Sequence, residues 1–278
     1  MATTQLFGRG QTPLTVKEVE LKITEHGHIV FPSQQEIYSR LVHVLTVLQN
    51  SEAAIRPHFH LTGESGSGKS FLTKVVCEEM KIPFIEVNAA GITAEGLSGN
   101  SLSKALVKLR EHWDKPNVIF VDEFDKLFQR NGETTEGFRS AVQDEFLTML
   151  ESKYTSVFTD FGKYTPCVVE NSLFIFAGAY SNQKIETMAQ LKDAGLRNEF
   201  IGRVPLVFMT KPVTLAELKE ALPKIKLFRE YRKLFGKTAI KTDVAGIIKL
   251  LTAQNKEMNI GIRLLNSVIH QFYMGAKG

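Results

Sequence analysis

The sequence predicts an α/β fold, a parallel sheet with helices on both faces, followed by a small all-helical region. Three observations carry that prediction. Gly63-Glu64-Ser65-Gly66-Ser67-Gly68-Lys69-Ser70 fits the phosphate-binding pattern G-x-x-x-x-G-K-[ST]. It lies between a short apolar segment, Pro57 to Leu61, and an amphipathic one, Phe71 to Met80, the strand–loop–helix order such a loop needs. Asn117 to Asp125 holds the apolar run 118–121 followed by Asp122 and Glu123, the pattern of a buried parallel strand delivering carboxylates at its C-terminal tip. Beyond Pro212 the pattern is helical throughout.

In chain order, residues 1–20 read as a loose tail, 21–211 as the large domain and 212–278 as a helical lid. Alternation over Val19 to Ile23, a turn at Glu25-His26-Gly27-His28 and apolar Ile29-Val30-Phe31 predict a hairpin. His26 and His28 lack a third ligand nearby in sequence and read as turn surface. Ser33 and Glu36 form a capping-box pattern ahead of a helix striped by Ile37, Leu41, Leu45 and Leu48. Pro83 to Val87 reads as a strand, Asn88 to Ser101 as a glycine-bearing loop, and Leu102 to Trp113 as a helix with Leu102, Leu106, Leu109 and Trp113 on one side. Gln129 to Gly137 is polar loop, Phe138 to Leu150 a helix, Tyr154 to Val169 a hairpin turning near Gly162, and Ser172 to Ala177 another buried strand. The C-terminal helices are capped by Thr214 with Glu217, run over Lys224 to Leu234, start again at Thr242-Asp243, and end with a stripe of Ile262, Leu265, Ile269 and Phe272.

Composition bounds the function. The chain is 43% hydrophobic and 23% charged, ordinary for a globular protein. No apolar run approaches the ~18 residues a membrane span needs, and the N-terminal residues lack a signal-peptide core. Cys77 and Cys167 match no metal spacing and read as isolated buried thiols of a reducing compartment. The expectation is a cytoplasmic protein without membrane contact. A net charge of +4 permits nucleic-acid contact without implying it.

The two acidic and glycine-rich motifs together point to nucleotide chemistry. Backbone N–H groups of the loop would wrap the β-phosphate at a helix N-terminus. Lys69 would reach the β- and γ-phosphates, and Ser70 would hold Mg²⁺. Asp122 would join the Mg²⁺ shell, and Glu123 would polarise the attacking water.

This combination, ending in a helical domain, resembles the AAA+ ATPases, and within them the ClpX/HslU unfoldase branch. The segment 121–127 (VDEFDKL) resembles that branch's acidic strand end, 199–205 (EFIGRVP) its arginine-finger segment, 261–263 (GIR) its sensor-2 motif, and 172–180 (SLFIFAGAY) the strand carrying sensor 1. The resemblance implies ATP and Mg²⁺ as cofactors and assembly of identical subunits into a ring, read as a hexamer. Arg203 would reach a neighbour's γ-phosphate, Arg263 would contact phosphates from the lid of its own subunit, and Ile29 and Val30 would flank the adenine. It also implies a protein substrate drawn through a central pore.

The chain departs from that pattern at several points. The pore-loop aromatic is replaced by Leu97 between Gly96 and Gly99, which loses the large ring that grips polypeptide. Only Ser181 to Asn198 separates Tyr180 from the finger segment, where the branch carries its peptidase-docking insertion, so no ClpP-type peptidase partner is expected. The branch's zinc-binding domain is not expected ahead of the ATPase segment, and the sensor-1 candidates are Ser181 and Asn182. Two other function classes stay open. Lys219 to Lys241 holds eight Lys/Arg against Glu220 and Glu230, a net +6, which suits a nucleic-acid-associated loader, translocase or helper, with Lys126, Lys153 and Lys163 as further candidates. An ATP-switched assembly protein without translocation also fits the softened pore loop.

Overall fold

The computed structural model describes residues 21–92, 101–127, 136–159, 162–235, 239–255 and 261–275, with backbone alone for 136–140. Leu97 and most of the predicted polar loop from Gln129 fall outside the described residues.

The hairpin β1 (Lys22–Ile23) and β2 (Ile29–Val30) leads into α1 (Pro32–Asn50). The helix starts just ahead of the predicted cap. Phe31 is the N-cap, Pro32 supplies the first turn's fixed φ, and the Gln34 side chain accepts the Phe31 N–H at 3.3 Å, so Ser33 already lies inside the helix. Strand β3 (Phe59–Thr62) runs through the glycine loop into α2 (Lys69–Glu79), then β4 (Phe84–Asn88). The predicted helix over 102–113 is instead a short α3 (Leu102–Ala105) followed by a 3₁₀ turn, Val107–Glu111. With three residues per turn Leu106 and Leu109 still align and are buried, but Trp113 falls off the stripe and is 44% exposed.

Strand β5 (Asn117–Asp122), helix α4 (Glu136–Glu151), the antiparallel hairpin β6 (Tyr154–Phe158) and β7 (Tyr164–Val168), and strand β8 (Ser172–Gly178) follow. Then come α5 (Met188–Asp193), α6 (Asn198–Arg203) and β9 (Leu206–Met209), for which the sequence patterns gave no signal. The chain ends in α7 (Leu215–Ala221), α8 (Lys226–Phe235), α9 (Ile240–Gln254) and α10 (Ile262–Met274). The third of these begins at Ile240, ahead of the expected Thr242-Asp243 start.

The main sheet has five parallel strands in the order β4-β5-β8-β3-β9. Its residues alternate between two cores. Ile119, Val121, Phe174 and Phe176 pack toward α4 and α6, whereas Val118, Phe120, Leu173 and Ile175 pack toward α1 and α2. A third core, including Phe228, Ile247, Leu251, Leu265 and Ile269, belongs to the C-terminal helices and takes in Leu21, Phe31 and Val213 from outside them. The sheet therefore carries its glycine loop at the C-terminal edge of β3, beside the tip of β5 and beneath the C-terminal helices.

Candidate functional site

Strand β3 ends at Thr62 and α2 starts at Lys69, so the glycine loop fills the crossover between a buried strand and a helix N-terminus. Lys69 is folded onto this loop, its Nζ donating to the carbonyls of Gly63 at 2.7 Å and Glu64 at 3.0 Å. Burial lowers the Lys69 pKa, an effect that Asp122 and Asp125 oppose and Arg263 reinforces. Ser70 Oγ donates to Asp122 Oδ2 at 2.8 Å, joining the helix start to the end of β5. The backbone N–H of Glu123 donates to Asp122 Oδ1 at 2.9 Å, and Glu123 itself takes φ +54.

These groups surround one cavity of about 410 Å³. Ser65, Gly66, Gly68, Lys69 and Ser70 line one wall, Asp122 and Glu123 another, and Arg263 the side formed by α10. Gly261 sets that side. It has φ +58, and a Cβ there would lie 2.6 Å from the Gly66 carbonyl oxygen, so only glycine lets the α10 N-terminus rest on the loop. Gly63, Glu64 and Ser67 do not line the cavity.

The remaining predicted residues lie elsewhere. Val30 is fully buried against the α1–α2 layer, and Ile29 packs against the C-terminal helical core, so the pair spans the junction of two cores outside the cavity wall. Arg203 sits at the end of α6, outside the cavity. Its Nε donates to Glu151 Oε1 at 2.6 Å, Nη2 pairs with the same oxygen, and Nη1 donates to the Glu199 carbonyl at 3.1 Å.

Sequence reasoning missed one contributor, Asp125. It is 1% exposed, and its carboxylate accepts the N–H groups of Ala179 at 3.3 Å and Tyr180 at 3.0 Å. It thereby fixes the turn after β8, where Tyr180, Ser181 and Asn182 take φ of 49°, 54° and 61°. That turn aims Asn182 Oδ1 at the Ser65 N–H, 3.3 Å away, and the cavity is lined by both Ser181 and Asn182. Ser181 and Asn182 are the two sensor-1 candidates of the sequence, whereas the signal available for Asp125 was its place just after the acidic strand end.

Hydroxyl and carboxylate oxygens at Ser70 and Asp122 are hard donors suited to Mg²⁺. No group of three or more His, Cys, Asp or Glu that could hold a metal exists among the described residues. That donor set suits an ion held partly by substrate phosphates.

Residues 59–200 match the family described as ATPase family associated with various cellular activities (AAA). The chain belongs to the AAA ATPases. It is therefore an ATP hydrolase, and the cavity is placed where the family's segment brings the glycine loop and the acidic strand end together. An ATP-dependent Clp protease ATP-binding subunit ClpX from Porphyromonas gingivalis is 24% identical over 264 residues, covering 78% of this chain and 64% of that protein. The ClpX of Bacteroides thetaiotaomicron is 26% identical over 262 residues, covering 77% and 63%. ClpX 2 of Wolinella succinogenes is 28% identical over 255 residues, covering 77% and 64%. The chain thus spans a little under two thirds of the length of these relatives. No helix among the described residues is long and apolar enough to cross a membrane.

Proposed function

We propose that this AAA ATPase works as a ring of identical subunits, hydrolysing ATP at subunit interfaces to remodel a macromolecule, most readily a protein. One observation carries the reading: Lys69, Ser70, Asp122, Glu123 and Arg263 converge on one cavity, while Arg203 is presented on a different face. A finger arginine that serves a neighbour belongs outside its own site.

In this reading Lys69 and the loop amides bind the phosphates, with Arg263 reaching them from the helical lid, residues 212–278. Glu123 accepts a proton from the attacking water, and Asn182 orients groups on the γ-phosphate side. Ser70 and Asp122 would hold Mg²⁺, which neutralises phosphate charge when bound. Of the pair at 29 and 30, half-buried Ile29 would offer the apolar contact for the base, with fully buried Val30 packed behind it. Arg203 must leave Glu151 or turn about it to meet the neighbouring γ-phosphate, where such a residue is worth ~10³–10⁵ in rate. A protein substrate is supported by the ClpX-named relatives.

A second reading, a nucleic-acid-associated ATPase, is favoured by the exposed Lys226, Arg229 and Lys233 on α8. The deciding measurement is steady-state ATPase rate, alone and with unfolded protein, single-stranded DNA or duplex DNA, for the parent and Arg203→Ala. Stimulation by unfolded protein is expected. Stimulation by DNA, weakening steeply with salt, would transfer the assignment to the second reading. An Arg203→Ala protein as fast as the parent would remove the ring-interface mechanism.

A further inference from the structure

The phosphate-binding loop has a back as well as a front. Ser67 does not line the cavity and is 1% exposed. Two side chains hold it from behind. Gln34 Nε2 donates to the Ser67 carbonyl at 2.9 Å, and the Ser67 hydroxyl meets Thr210 Oγ1 at 2.6 Å. Thr210 uses its own hydroxyl proton on the Thr62 carbonyl at 3.0 Å, so in the hydroxyl pair Ser67 is the donor. The Thr210 N–H donates to the same carbonyl at 2.9 Å. Thr210 also accounts for the first glycine of the loop. A Cβ on Gly63 would lie 2.7 Å from the Thr210 carbonyl oxygen, closer still to its hydroxyl, and the residue has φ +134.

Each gripping residue ends a short strut. One strut is residues 31–34 and the other is 210–213. Gln34 and Thr210 grip the loop, whereas Phe31 and Val213 at the far ends are buried in the core of the C-terminal helices. Glu217 of α7, 5% exposed, braces the first strut and the residue directly after the second. One carboxylate oxygen accepts the Ser33 N–H at 2.6 Å, and the other accepts the Thr214 N–H at 2.7 Å.

We infer that Gln34 and Thr210 are positioning residues that bind the back of the phosphate loop to the C-terminal helices, so that loop shape and helix seating change together. Nothing in the phosphate pattern itself assigns them, because neither touches the cavity. The physical basis is that Ser67 has its hydroxyl and carbonyl committed in a site too buried for water to substitute. A phosphate pulling on the front of the loop cannot move Ser67 without moving the struts or breaking those bonds. The inference rests on the reading that ATP phosphates occupy this loop.

The test uses the full chain labelled at Lys108→Cys on the sheet side and Lys226→Cys on α8, both exposed. Native Cys77 and Cys167 are buried, with thiol pKa raised by burial, so they resist labelling. Affinity for a fluorescent ATP analogue with Mg²⁺ and the nucleotide-induced change in label separation are read together. Thr210→Val and Gln34→Leu should each weaken the analogue by about 10-fold and remove roughly half or more of the separation change. Thr210→Ser should retain both properties. Parent-like affinity and separation change in Thr210→Val and Gln34→Leu would overturn the inference. So would a lowered melting temperature with the nucleotide-linked change intact, or a Thr210→Ser protein as impaired as Thr210→Val. If Thr210→Val fails to fold, Gln34→Leu decides on the same two outcomes. Lys69→Ala separates the levels: undiminished analogue binding in that control removes the site reading itself.

Discussion

Glu123 is held at φ +54, a left-handed backbone that costs a non-glycine residue about 1–3 kcal/mol. The cost is met because β5 fixes Asp122 on one side and buried Phe124 fixes the turn on the other. The result is a carboxylate at the cavity wall that is not consumed by the Ser70–Asp122 bond. Glu123→Gln should therefore keep ATP affinity within about threefold while turnover falls ~10²–10⁴. Equilibrium nucleotide binding beside single-turnover hydrolysis checks this, and a large loss of affinity would reassign Glu123 to binding. Residues of this kind were legible in the sequence because each belongs to a short contiguous pattern on one strand tip or loop. Asp125, Gln34 and Thr210 were not. Their roles come from contacts across long chain separations, such as Asp125 with Tyr180 and Ser67 with Thr210, which no local pattern encodes.

At the scale of elements, α6 shows which contacts set position and which set stability. Its Phe200 is fully buried, 5.0 Å from Phe124 and 5.1 Å from Phe176 between ring centroids. Flanking it, Arg197 pairs with Asp144 at 2.5 Å and Arg203 with Glu151, both carboxylates on α4 and both well exposed. Phe200→Ala should destabilise the protein by about 3–5 kcal/mol through the cavity it leaves. Asp144→Ala should cost under about 1 kcal/mol, because an exposed ion pair is largely offset by solvation and side-chain entropy. Urea unfolding of the two variants compares them directly, and equal losses would mean that the ion pairs hold α6 as strongly as its aromatic anchor. The short helices and β9 escaped the sequence reading for a related reason. They are four to six residues long, held by single buried anchors or a strand partner, and β9 is a half-exposed edge. Such segments carry too few repeats for periodicity to register.

The whole molecule stores an acid sensitivity in β3, an interior strand of the main sheet. His58 and His60 lie on β3 or directly before it, and burial lowers their pKa from 6.5 to about 4 and about 3. His58 has a partner, its Nδ1 accepting the Phe174 N–H at 3.0 Å. His60 has none on either ring nitrogen and is enclosed by Phe124, Phe176 and Phe200. Both are neutral when folded, whereas the unfolded chain protonates them near pH 6.5. Because the folded values are depressed, the unfolded state binds more protons as pH falls. Stability is thus fully present above about pH 6.5 and declines below it, by up to about 2.7 kcal/mol per pH unit between roughly pH 6 and 4. Replacing the unpartnered ring should remove half of that slope without opening a hydrogen bond elsewhere. His60→Leu should also raise stability at neutral pH by ~1–3 kcal/mol, the cost of an unsatisfied buried polar group. Urea midpoints from pH 7.5 to 4.5 for parent and His60→Leu decide the matter. A parent curve flat across that range would mean that the ring is not sealed from water in the folded protein. Equal slopes in the two proteins would place the acid sensitivity in groups other than His60.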